Sequence, residues 1–333
     1  MRHLALSSEL IDEARYLANR NDLLKLLQKV YGDSDVSKII SDYELILVGG
    51  QALALWHYQY FDMNVSRDVH YSFSDDIDFY GLKVSLQFIT DKLGVEIKTP
   101  DNFDPTVNLG VFTIPSKSND RGLIVVDIIH SVGGLERKDI LQGVDIVNID
   151  NLELPVINPV LCLKSRMHNF NAQYKADKVK ELYRVDIALR CSKSYINEEL
   201  DNGWSKNTSR LIENIIEMSN SIAGCDMFIK HGVDLMQAID LTHPNINEKF
   251  LTFRYPKALA EIESNRDKRT RHLERFNSFD PMAAKELSVE AGVKRFETLS
   301  KQVKPLEHVS LNEYLVENLQ KNKPKSKLED PDP

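Results

Sequence analysis

The run GLIVVDIIHSV, Gly122 to Val132, constrains this chain more than any other stretch. Its aliphatic and β-branched residues predict a strand over Leu123–Val132. It is too short to cross a bilayer, which takes about 20 apolar residues in a helix. Asp127 stands in its middle, the only charged group between Arg121 and Glu136. A carboxylate on a buried strand shifts its pKa or needs a partner. The fold must bring something to Asp127.

A second acidic strand is the candidate. Asp76-Ile77-Asp78 alternates acid, apolar, acid, and Ile77–Tyr80 reads as a strand. Residues two apart on a strand share a face, so Asp76 and Asp78 point the same way, with Cα atoms roughly 6–7 Å apart. Ile77 and Phe79 point into the opposite layer. Two adjacent carboxylates repel, and a divalent cation removes that cost. Hard oxygen ligands suit Mg2+, which binds through one or two carboxylates plus substrate phosphates. If the Asp127 strand lies beside this one, three carboxylates meet at one site. Upstream, Leu45–Val48 is a short apolar run ended by Gly49 and Gly50, and Gln51–Tyr60 then reads as a helix. Amides at a helix N-terminus, unobstructed by Cβ atoms, bind phosphate. No Gly-Lys-Ser/Thr follows, so this is not a Walker loop.

The rest of the chain is read for organisation. Apolar residues at helical spacing run through 10–30, and Ser85–Leu93 is helical. Val95–Lys98, Val107–Ile114 and Val144–Ile149 are further strands. Strands mixed with helices predict an α+β (α/β) sheet domain over 1–155. Beyond Pro155 the strand signals fade. Pro159 suits the first turn of a helix running to Phe170. Further helices are expected at Lys175–Cys191, Thr208–Ala223, Cys225–Ile239, Lys257–Phe276 and Pro281–Val303, giving a mostly helical domain over 156–319. The tail 320–333 is charged and proline-bearing, with no apolar anchor, and reads as disordered.

Charge divides the same way. Residues 1–155 hold 14 Lys/Arg against 24 Asp/Glu, a net of −10, and the remainder nets +2. That asymmetry fits an acidic, metal-holding half and a partner half suited to a polyanion. The three cysteines, Cys162, Cys191 and Cys225, are widely spaced with no CxxC, as in reduced thiols of a cytoplasmic protein. No apolar run reaches transmembrane length, so no membrane partner is expected.

The ordered set Val48-Gly49-Gly50, Asp76-Ile77-Asp78 and Val126-Asp127-Ile128 resembles the DNA polymerase β-like nucleotidyltransferase superfamily. Ser74 matches a small hydroxyl residue that often precedes the aspartate pair there. The nearest likeness is to the AbiEii/MenT-type nucleotidyltransferase toxins, over about residues 44–190. The resemblance implies a palm-like mixed sheet followed by a helical domain. It implies two Mg2+ ions on Asp76, Asp78 and Asp127, with Asp127 also helping to activate the acceptor hydroxyl. Gly49 and Gly50 would cradle the triphosphate, with Ser74 among the nucleotide-binding residues. Lys164, on the first helix of the second half, would neutralise phosphate charge. The reaction would move NMP from an NTP to a hydroxyl. RNA, tRNA in particular, is the favoured acceptor, and a cognate antitoxin would be the partner. A small-molecule acceptor of the antibiotic type, or a catalytically silent module binding nucleic acid or a partner, are the other readings.

Two further sets are candidates. Lys268, Arg271, His272 and Arg275 fall on one helical face and could track phosphates. Asp186, between apolar neighbours on its helix, could pair with Lys164 or Arg166.

Overall fold

The structure, a computed structural model, describes residues 22–61, 76–101, 104–116, 122–149, 151–171 and 178–278. Its class is α+β, with a mixed six-stranded sheet and helices. The chain divides into two compact units, 1–269 and 270–333. Of the second unit only the helical residues 270–278 are described.

Helix α1 runs through residues 22–31 and buries Leu23, Leu26, Leu27, Val30 and Tyr31, a 3.6-residue stripe. Asp35 caps α2, Val36–Tyr43, by accepting from the Ser37 and Lys38 amides at 2.9 and 3.3 Å. Strand β1, Ile46–Val48, is wholly buried and passes directly into α3, Gly49–Tyr60. Then come β2 (Asp76–Tyr80), α4 (Lys83–Leu93), β3 (Asn108–Pro115), β4 (Leu123–Ile129), α5 (Arg137–Gln142), β5 (Val144–Ile149) and β6 (Leu152–Ile157).

The strand order is β3-β4-β2-β1-β6-β5. β2 pairs with β4 in parallel and with β1 antiparallel; β1 and β6 are parallel; the two outer pairs are antiparallel. Alternation decides the faces. Ile77, Phe79, Ile124, Val126 and Ile128 are buried on one face, where Tyr31 of α1 lies against Phe79 at 6.3 Å between rings. Asp76, Asp78, Val125 and Asp127 are on the other.

Three local expectations differ from what is observed. Val95–Lys98 forms only a single bridge, Lys98 to Val111. The short helix α5 falls where the sequence announced no element. Most consequential is β6, which carries Pro155 through its middle, opposite Ile146 of β5. Proline in a strand ordinarily argues against pairing. Here β1 is short and registers with β6 only at Leu47–Val156, leaving room for a residue that donates no ladder hydrogen bond. The division expected near 155 thus falls inside the first compact unit. Trp56 of α3 donates to the Ile157 carbonyl at 2.8 Å, tying the two sides of that point together.

The chain after β6 is helical: α6 (Pro159–Asn171), α7 (Lys178–Asp201), α8 (Lys206–Asn220), α9 (Ile222–His231), a 3-10 turn at Leu235–Ala238, a π turn at Phe250–Arg254, and α10 (Tyr255–Ser278). A reciprocal Ser205/Thr208 cap starts α8. Bidentate pairs from Arg254 to Glu213 and from Arg269 to Asp226 fasten the last helical segments to α8 and α9. Cys162, Cys191 and Cys225 are buried and free. Among the described residues no helix is long and apolar enough to cross a membrane. The expected helix at Pro281–Val303 and the tail 320–333 lie outside the described residues.

Candidate active site

The two acidic strands are neighbours. In the parallel β2/β4 pair, Asp78 stands directly beside Asp127, and Asp76 beside Val125. Adjacent strands lie about 4.8 Å apart, so the Asp78 and Asp127 side chains leave the same face within reach of each other. Asp76 is exposed at the start of β2; Asp78 and Asp127 are half-buried. Burial first, then the Asp78 charge, then that of Asp76, push the Asp127 carboxyl up to about 7. Among the described residues no cation offsets these effects at Asp127. The Asn108 side chain donates to its Oδ1 at 3.2 Å.

Antiparallel pairing puts Val48, the last residue of β1, opposite Asp78. The chain then turns through Gly49 at φ +71°, a left-handed conformation that an L side chain rarely adopts. A Cβ added there would come 1.9 Å from the Asp78 Oδ2. Gly49 is therefore required twice: for its backbone angle and because the Asp78 carboxylate occupies the space a side chain would need. Val48 supplies no side-chain cap to α3, so the first amides of that helix open beside a carboxylate. Gly50, buried, continues the helix.

Other expected site residues are placed differently. Ser74 lies outside the described residues. Lys164 Nζ bonds Asp139 Oδ2 of α5 at 3.0 Å, with its side chain 32% exposed. Asp186 is exposed and pairs one turn on with Arg190 at 3.1 Å. Lys268 on α10 is exposed in the first unit; Arg271 and Arg275 are exposed in the second.

What sequence reading passed over is on α7, beside Asp186. Arg184 and Glu181 are buried and joined at 2.9 Å, and Arg166 of α6, also buried, lies 3.8 Å from the same carboxylate. Burial, then Arg166, lower the Arg184 pKa, while the Asp78 charge acts in the opposite direction. Arg184 therefore feels the acidic site. The signal available in the sequence was two basic and one acidic residue on otherwise apolar helix faces. Asn108 was equally silent, a polar residue at a strand end.

The donor set of Asp76, Asp78 and Asp127 is all oxygen and fits a hard divalent cation, whose charge would offset the mutual repulsion that raises the Asp127 pKa. Among the described residues no three His, Cys, Asp or Glu side chains already form a metal-holding group. Comparison of the sequence with models of known protein families and with curated proteins finds no match.

Proposed function

We propose that the protein is a Mg2+-dependent nucleotidyltransferase that moves a nucleoside monophosphate from an NTP to a hydroxyl acceptor. One observation carries this reading. Asp78 and Asp127 sit in register on adjacent parallel strands, with the Gly49 turn and the α3 N-terminus pressed against Asp78. Carboxylates and an uncapped helix start are oppositely suited: one holds cations, the other anions. A nucleotide–metal complex offers both.

Asp76, Asp78 and Asp127 would hold two ions, which supply charge neutralisation at the attacking and leaving oxygens of a phosphoryl displacement. The chain's own groups do the rest. The amides after Gly49 receive phosphate oxygens. Asp127, as its carboxylate, would accept the proton of the acceptor hydroxyl. The hydroxyl oxygen then bonds the α-phosphorus, the bond from that phosphorus to the bridging oxygen breaks, and pyrophosphate leaves with the electron pair. The proton passes from Asp127 to solvent.

RNA is the favoured acceptor class, because the chain after residue 155 is net basic against a strongly acidic first part. A toxin-like role with a cognate antitoxin follows only from the resemblance of the motifs.

The test is incubation of the protein with total RNA and each labelled NTP, with and without Mg2+. Label on RNA with release of pyrophosphate supports the proposal, and label on tRNA its toxin-like form. Asp78→Asn should abolish turnover, by at least about 100-fold on the scale of lost metal-held electrostatic stabilisation. Undiminished turnover in that variant overturns the site. NTP consumption without labelled RNA indicates a small-molecule acceptor. RNA binding that is unaltered by replacing all three aspartates, with no NTP consumed, indicates a silent binding module.

A further inference from the structure

Strand β3 enters the sheet out of step. Val111 lies opposite Asp127 and Gly110 opposite Ile128, but it is Asn108, not Leu109, that lies opposite Ile129. An extra residue on one strand of a pair is a β-bulge, and bulges re-aim side chains. Strict alternation would put Asn108 with Gly110 and Phe112 on the face that buries Val126 and Ile128, and Leu109 on the face of Asp127. The bulge exchanges them. Leu109 packs against the core, and Asn108 stands with Ile129 on the acidic face. Gly110 makes room for this: a Cβ there would come 2.5 Å from Ile97 Cγ2 and 2.9 Å from Leu86 Cδ2 of α4.

The backbone around the bulge is held. The Asn108 amide donates to Thr106 Oγ1 at 3.2 Å. Before it, the His130 amide donates to the Val107 carbonyl at 3.0 Å; after it, Val111 and Lys98 exchange both backbone bonds at 2.8 and 2.9 Å. From this fixed point the half-buried Asn108 side chain donates to Asp127 Oδ1 at 3.2 Å. Among the described residues this is the one hydrogen bond that the Asp127 carboxylate accepts. A side-chain amide suits the place. It satisfies one lone pair and orients the carboxylate, yet carries no charge that would compete with a cation.

We propose that Asn108 is a positioning residue of the acidic site: the bulge carries its amide to Asp127, where it fixes the orientation of the carboxylate and so sets its affinity for a divalent cation. That such a cation serves nucleotidyl transfer rests on the reading above; the positioning of Asp127 does not.

The probe is Mn2+, whose paramagnetic resonance signal reports binding to the full chain with no NTP or RNA present. Wild type should hold Mn2+ at a site that Asp127→Asn removes. Asn108→Ala deletes the donor without changing net charge, and should weaken that binding about 10-fold or more. Asn108→Gln keeps an amide donor on a longer arm and should retain more of the affinity than Asn108→Ala. Melting curves of the metal-free variants run in parallel. A residue that only packs the strand end would lower the melting temperature and leave Mn2+ affinity as it was. Where Asn108→Ala does not fold, Asn108→Leu, similar in size and without a donor, takes its place. Affinity unchanged without the donor, equal losses with and without it, or a wild type that lacks an Asp127-dependent Mn2+ site each overturns the proposal. NTP turnover by the wild-type chain is scored separately. Turnover in a protein whose Mn2+ affinity ignores Asn108 leaves the transfer reading standing, and an Asn108-dependent site without turnover removes that reading alone.

Discussion

Gly49 shows how one residue ties the backbone to the site. Its φ of +71° costs an L residue about 1–2 kcal/mol, and a methyl group there would displace the Asp78 carboxylate. Gly49→Ala should lower the melting temperature and also reduce NTP turnover, by more than the lost stability explains. Thermal unfolding and pyrophosphate release measured on the same preparation check this; turnover unchanged in a folded Gly49→Ala protein would show that Asp78 does not depend on the turn. Asp78→Asn works in the other direction. Removing one of three like charges should leave the melting temperature equal or higher at neutral pH, and it should draw the Asp127 pKa downward, since the Asp78 charge is the second cause of its elevation. A destabilised Asp78→Asn protein would mean that the carboxylate is held by partners rather than strained by neighbours. Away from the site, Asp145 of β5 offers a pH test. Burial pushes it up to about 6, although Tyr195 donates to it at 2.6 Å. The folded state holds this proton more tightly than the unfolded chain, so the destabilising effect is absent below about pH 4 and develops as pH rises through 6, reaching at most about 3 kcal/mol. Wild type should therefore lose stability relative to Asp145→Asn between acid and neutral pH, as read from paired melting curves; a constant difference would sink the assignment.

At the scale of elements, the acidic strands were legible because strand geometry has a period of two. Asp-Ile-Asp and the lone Asp127 each implied a face, and only their adjacency had to await the β2/β4 register. The Gly49-Gly50 turn was legible for a similar reason: an apolar run ending in glycines and passing into a breaker-free stretch has few other local solutions. β6 was not legible, because Pro155 reads as a break and its tolerance depends on how little of β1 pairs with it. The arginine cluster was hidden for a different reason. Arg166 and Arg184 lie on separate helices, and nothing in the spacing of either announces that both turn onto Glu181. Asp186, which looked more promising beside apolar residues, is on the solvent side of the same helix, where Arg190 one turn away satisfies it. The stretch between α3 and β2, where Ser74 falls, lies outside the described residues.

Across the whole molecule, the acidic part and the basic part as far as residue 269 belong to one compact unit. The sheet is completed by β5 and β6, and α7 reaches back alongside α3 through Trp56–Tyr195 and Tyr60–Glu198. A fragment ending at residue 150, before β6, would expose the flank of β1 and the Trp56 indole that Ile157 now receives. It should be unfolded or aggregated, as judged by circular dichroism and size-exclusion chromatography, whereas the chain through 278 should fold. A well-folded short fragment would show that the sheet closes without its last strands. Pro155 gives this a temporal side. Because β6 is the sixth strand in the chain yet the neighbour of β1 in the sheet, a nascent chain leaving the ribosome carries β1 for some time with no partner on one flank. The carboxylates can come into register early, but their surroundings close only after the later helices emerge, so synthesis itself sets an order in which acid strands wait for the arginines.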